Sequence, residues 1–282
     1  MGAIKMAPVQ RERILILAKT YPSPSAKHVE TSCVAGISLD GLMRRLYPVP
    51  FRMIEQDQQF KKWQWIDVGI EKAPADHRPE SHKVDIGSLK VEEDVTSKKD
   101  WAERWKWIEK IPTFSSFDEI EQAGNDGGLS IALLRPKKVL GLEIKDARNK
   151  DWTDEEKEKL MRAQMQGDLF SEAQTKQQVR GLRKIPFDFY YVFVYDTPDG
   201  EKERKHKIVD WEAGALFWRM YRDHGPSGWK NKFRAKLEDD LLSKDLMFLM
   251  GNQHRFQNQW LIISLFYPPK RTPIDARQGS FF

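Results

Sequence analysis

The chain has 282 residues, of which 40% are hydrophobic and 32% charged, enough for one large domain or two smaller ones with sizeable cores. Its 47 Lys and Arg against 42 Asp and Glu leave a formal charge of +5, which favours anionic partners only where the cations are segregated on one surface. A single cysteine, Cys33, excludes an internal disulfide and any Cys-rich zinc site. No apolar run reaches the roughly 18 residues that a membrane helix needs. The short run Ile14–Ala18 is no secretory h-region, and Met6 stands where a myristoylation pattern requires Ser or Thr. A cytoplasmic, reduced protein with no membrane partner is expected.

In chain order, the first ten residues read as an unstructured lead-in, and Ile14–Ala18 as a buried strand that stops at Thr20-Tyr21-Pro22-Ser23-Pro24. A second strand near Ser32–Leu39 meets the turn pair Asp40-Gly41 and returns through Leu42–Tyr47. A further strand covers Trp63–Ile70, and residues 73–83 have the composition of a polar loop. The region 11–95 is therefore expected to be β-rich, a small barrel or a strongly curved sheet.

Helices begin at Ser97, where Trp101, Trp105 and Ile108 share one face. Helix starts are also marked at Ser116-Phe117-Asp118-Glu119 and at Thr153-Asp154-Glu155-Glu156, with strands at Leu129–Leu134 and Val139–Ile144 between them. Segment 167–184 reads as a loop or an irregular helix. Helices at 211–223 and 229–242 and strands at Leu246–Met250 and Leu261–Phe266 complete a mixed α+β region, 96–269, before a loose tail, 270–282. Tyr-Pro follows strands at Tyr21, Tyr47 and Tyr267, but the intervening segments do not match, so no internal repeat is read.

The most informative stretch is 187–207. Phe187, Phe189, Tyr191, Phe193 and Tyr195 alternate along one strand, the turn Thr197-Pro198-Asp199-Gly200 follows, and the returning arm carries Lys202, Arg204, Lys205 and Lys207. An aromatic face can stack bases and a basic edge can hold phosphates, although five aromatics on one face equally suit a core. Phe189 and Tyr191 are the stacking candidates. Lys202, Arg204, Lys205 and Lys207, with Lys230, Lys232 and Arg234 on a later helix, are the phosphate candidates. The expected function is sequence-tolerant binding of nucleic acid, DNA or RNA, alone or within a protein complex. A non-catalytic interaction subunit that presents Trp and Tyr is the alternative without nucleic acid.

A catalytic alternative rests on Asp126 followed by Glu143-Ile144-Lys145. The pattern resembles metal-dependent nucleases of the PD-(D/E)xK type over residues 118–162. The resemblance implies that Asp126 and Glu143 hold Mg²⁺ and that Lys145 steadies the attacking water. Asp126 itself stands in a turn, Asn125-Asp126-Gly127-Gly128.

Overall fold

The computed structural model describes residues 9–25, 27–165 and 182–270. It is mixed α+β, 43% strand and 25% helix, with a closed five-stranded barrel followed by a second sheet and helices. The first barrel uses β1 (Gln10–Lys19), β3 (Val29–Ser38), β4 (Met43–Val49), β5 (Gln64–Lys72) and β6 (Ser81–Asp94), with a short β2 (Ser23–Ser25) added beside β3. Strand β1 pairs antiparallel with β3 on one side (Leu15↔Ile37) and with β5 on the other (Leu15↔Trp65). Strands β4 and β6 run parallel. Numbering the five strands by position in the barrel, the circuit runs 1-2-3-5-4-1, the Greek-key order of the OB-fold. The 14-residue β6 is the strand that polar composition hid: residues 73–80 are loop, but pairing begins at Ser81.

The apolar run Ile14–Ala18 is buried on both sides. Ile14 and Ile16 point into the barrel with Val34, Leu46, Ile66 and Val68. Leu15 and Leu17 point outward and are covered by the second half of the chain. Gly36 permits the close β1–β3 crossing, since a Cβ there would lie 2.5 Å from Ile14 Cγ2 and 2.6 Å from the Leu15 carbonyl oxygen.

In the second half, the strands are β7 (Thr113–Phe114), β8 (Ile131–Leu134), β9 (Lys138–Asp146), β10 (Phe187–Thr197), β11 (Gly200–Ile208), β12 (Met247–Asn252) and β13 (Trp260–Phe266), in sheet order β7-β8-β12-β13-β11-β10-β9. Strands β8 and β9 are consecutive halves of one path, interrupted only at Arg135-Pro136-Lys137, and they lie toward opposite ends of the sheet, β9 at one edge and β8 inside the two-residue β7 at the other. The sheet curls to bring those ends together. Tyr191 on β10 stacks on Phe248 of β12 at 5.2 Å, although β11 and β13 lie between them in the sheet. Taken as five strands, with β8/β9 as the first and β11 parallel to β13, the order is again 1-2-3-5-4-1. The two halves thus share a topology without a sequence repeat, because a barrel needs alternating apolar positions and matched lengths rather than particular residues.

Among the described residues, four α-helices complete the fold. Helix α1 (Lys98–Ile108) opens with left-handed residues Lys99–Trp101 and then packs Trp105 and Ile108 inward. Helix α2 (Phe117–Asn125) closes one end of the second barrel with Phe117 and Ile120. Helix α3 (Asp154–Met165) lies against β2 and β3. Helix α4 (Trp211–Arg234) bends at Gly225-Pro226, where φ is +68° at the glycine, which reconciles one continuous element with the two helices expected from sequence. It joins the third and fourth barrel strands and drives Phe217, Trp229 and Phe233 into the core. No described helix is long and apolar enough to cross a membrane.

Between the barrels, Leu15, Leu17, Ala35 and Ile37 meet Ile131, Leu133, Met247 and Leu249, with Trp63, Trp65, Trp101 and Trp105 in the same cluster. A buried polar seam crosses this interface. Glu80 accepts from the Ser130 amide (2.8 Å) and hydroxyl (2.6 Å), Arg45 donates to the Ser130 carbonyl (2.8 Å), and Arg78 donates to the Asn252 carbonyl (2.9 Å). The stretch 73–83 that reads as a solvated loop in the sequence supplies both Arg78 and Glu80 to this seam.

Candidate nucleic-acid interface

The β10–β11 hairpin forms as expected, with Tyr195↔Lys202 and Thr197↔Gly200 closing the turn. Its aromatic stripe faces inward. Phe189 is 3% exposed, and Tyr191, Phe193 and Tyr195 are fully buried. Phe189 packs on Phe233 at 4.5 Å, and Tyr191 donates to the Leu237 carbonyl at 2.6 Å. Burial pushes the Tyr191 hydroxyl far above its ordinary range. The base-stacking role expected of Phe189 and Tyr191 is corrected: a ring enclosed by α4 and β12 has no free face, and each such burial stabilises the barrel by roughly 1.5–3 kcal/mol.

The other face of the strand is the open one. Asp188, Tyr190, Val192 and Val194 are half-exposed. Register places Tyr190 between Glu143 of β9 and Lys207 of β11, and Val192 between Gly141 and Lys205. Lys205 Nζ lies 5.5 Å from the Tyr190 ring centre. Glu143 binds Lys145 and Lys205, both at 2.8 Å, and those hydrogen bonds, Lys145 first, hold its carboxyl below the usual range. Lys207 pairs with Asp188 at 2.5 Å.

The basic arm is therefore divided. Lys205 and Lys207 line the open face, whereas Lys202 and Arg204 turn to α2, where Lys202 meets Asp118 at 2.7 Å and Arg204 lies 3.8 Å from Glu121. Asp118, also bonded by the Tyr195 hydroxyl at 2.6 Å, is held below its ordinary value by Lys202 and then Tyr195. On α4, Arg234 binds Glu238 (2.9 Å) and the Leu142 carbonyl (2.8 Å). Lys230 lies 5.4 Å from the Phe187 ring centre, and Lys232 is exposed. Lys230 thus lies beside the start of β10, and Arg234 is tied to β9 at Leu142, opposite Tyr191.

The nuclease triad is not assembled. Asp126 sits at the C-terminus of α2 and accepts from Gln122 at 3.1 Å, while Glu143 and Lys145 pair with each other on the outer face of β9. Among the described residues no contact joins Asp126 to Glu143, and no group of three or more His, Cys, Asp and Glu is placed to hold a metal ion. The Glu-x-Lys spacing is that of a surface ion pair, because period two puts both side chains on one strand face with nothing opposite to chelate against. Of the ten tryptophans six are buried and four half-buried, while Tyr47 is 51% exposed. Tyr190, the one aromatic on the open face, was legible only as the even-numbered partner of the conspicuous odd-numbered stripe.

The corresponding face of the first barrel is partly closed, since Ala35 and Ile37 of β3 pack in the inter-barrel cluster and Arg45 of β4 reaches Ser130. The loop between β12 and β13 presents Phe256, 55% exposed, and His254, which contacts Asp76 at 3.2 Å.

Residues 10–110 match a family described as a domain of unknown function (DUF8758), and residues 113–282 match one described as a domain of unknown function (DUF8757). No curated protein matches the chain. A solved chain from "Structure and Conformational Change of a Replication Protein A Heterotrimer Bound to ssDNA" is similar at 8% identity, over 98% of this chain and 69% of that one, with a TM-score of 0.26. A TM-score that low does not establish a common fold, and nothing functional follows from it.

Proposed function

We propose that this chain, which belongs to the family described as a domain of unknown function (DUF8757), binds single-stranded nucleic acid on the open face of its second barrel. The observation that carries the reading is the position of Tyr190, Val192 and Val194 on the second and third barrel strands, flanked by Lys145, Lys205 and Lys207. In barrels of this strand order that face, with its adjoining loops, is where oligonucleotides and oligosaccharides bind. One aromatic ring supplies a stacking platform for a base of any identity, and the lysines supply backbone contacts without sequence information. A duplex is a poorer fit, since its bases are already stacked and hidden from Tyr190.

Each of those lysines already holds a carboxylate: Lys145 and Lys205 share Glu143, and Lys207 holds Asp188. Phosphates must displace these acids, so binding is weak and strongly salt-dependent. The test is fluorescence anisotropy with labelled single-stranded DNA, single-stranded RNA and duplex DNA. Tyr190→Ala is expected to weaken single-strand binding by about 1–3 kcal/mol with little change in melting temperature. Equal affinity of the variant and the native chain, or no binding of either single strand at low salt, would refute the proposal.

A further inference from the structure

A recess lies away from the open strand face, where the two barrels meet beside the start of α4. It encloses about 550 Å³, within the range of about 300–1,000 Å³ typical of small-ligand clefts. Its cations are Lys19 from the end of β1, Lys61 and Lys62 from the connection before β5, Arg219 from α4 and Lys236 just beyond it. Only two acids, Asp210 and Glu212, line it. Asp210 is already committed, since it caps α4 by accepting from the Glu212 amide at 2.7 Å and also accepts from the Leu265 amide at 3.2 Å.

The cations are incompletely matched. Lys19 Nζ donates to the Phe60 carbonyl at 2.9 Å and sits 3.5 Å from the Phe51 ring centre, yet forms no ion pair among the described residues. Lys62, with 7% of its side chain exposed, donates to the Leu265 carbonyl at 2.6 Å and reaches Glu212 only at 3.8 Å. Lys61 and Arg219 stand exposed at the mouth with no ion pair among the described residues. At the wall, the hydroxyl of Ser264, a fully buried residue, lacks a hydrogen-bond partner. Bringing cations together under low exposure is costly unless a counter-anion is present. The rest of the wall is apolar and partly aromatic, with Trp211, Leu216, Leu237 and Tyr267.

We infer that this recess binds a phosphate ester of mononucleotide size. The phosphate is held by Lys61 and Arg219 at the mouth with Lys19 and Lys62 behind it, and the planar base lies along Trp211 and Tyr267. The site is separate from the strand face, so it stands or falls independently of the single-strand reading.

Titration calorimetry of the full chain with AMP, adenosine and inorganic phosphate tests the inference. AMP is expected to bind saturably, with adenosine and phosphate each at least about tenfold weaker, because each lacks one half of the recognition. The double variant Lys61→Ala, Arg219→Ala touches only exposed side chains and is expected to keep its melting temperature while losing at least about tenfold in AMP affinity. Absence of saturable AMP binding to the native chain, or unchanged affinity in the folded double variant, overturns the site. Inorganic phosphate binding as tightly as AMP overturns the nucleotide assignment.

Discussion

Glu143 separates the two uses proposed for its neighbourhood, because its carboxylate occupies both Lys145 and Lys205 at 2.8 Å. If it served chemistry, replacing it would abolish activity and leave binding unchanged. On the geometry of the open face, Glu143→Gln should instead strengthen binding, since two lysines flanking Tyr190 lose their competing anion while the side chain keeps its shape. Each phosphate neutralised on a single strand contributes a slope of about −0.7 in log K against log salt, so two freed lysines steepen it by up to about 1.4. The same relation makes each added phosphate contact worth about fivefold in affinity at roughly 0.1 M salt relative to 1 M, or about 5- to 25-fold for one or two contacts. Anisotropy titrations of Glu143→Gln and the native chain across a salt series read both quantities. A variant with unchanged or weaker affinity and an unchanged slope would refute the view that Glu143 masks a phosphate-binding surface.

Glu80→Ala removes the acceptor of the Ser130 amide and hydroxyl in the buried seam. It should cost about 2–6 kcal/mol of stability in urea unfolding, since two buried donors are left unpaired at roughly 1–3 kcal/mol each; a loss below about 1 kcal/mol would mean that the seam contributes no more than a surface contact. Lys19 has its amine lowered to about 8 by burial, against an ordinary 10.5. Between those values the unfolded chain binds the proton more tightly, so the folded state is penalised below about pH 8 and the penalty fades as pH rises toward 10.5. Lys19→Met should therefore gain up to about 3 kcal/mol near neutral pH and show a smaller rise in stability from pH 8 to 10.5 than the native chain; parallel pH–stability curves would contradict the assignment.

Local pattern was enough for most elements. The unbroken apolar run Ile14–Ala18 identified a strand covered on both faces, the spacing of Trp105 and Ile108 identified a helical face, which Trp101 joins in burial although its own backbone is left-handed, and the alternation 187–195 with its Asp199-Gly200 turn identified the hairpin. Those signals are short-range, being set by side-chain periodicity and turn chemistry. Strand β6 escaped because its apolar alternation is short, Val84 and Ile86 only, before Gly87-Ser88 breaks it, and of its 14 residues only Ser81 and Leu89 are buried.

The composition and periodicity of the chain determined that it is an α+β protein with a β-rich beginning, and that residues 187–207 form a hairpin with one aromatic and one basic arm. Only the tertiary structure decided which face of that hairpin meets solvent. Period two divides a strand into two faces but does not say which one the rest of the chain will cover, and here α4 and β12, distant in sequence, close over Phe189 and Tyr191 and leave Tyr190 outside. The same holds for charge. Lys202, Arg204, Lys205 and Lys207 form one cluster in sequence, yet alternation sends two toward Asp118 and Glu121 on α2 and two toward Glu143 and Asp188 on the open face. The partner of a charged side chain is set by packing across the whole fold, which no local spacing encodes.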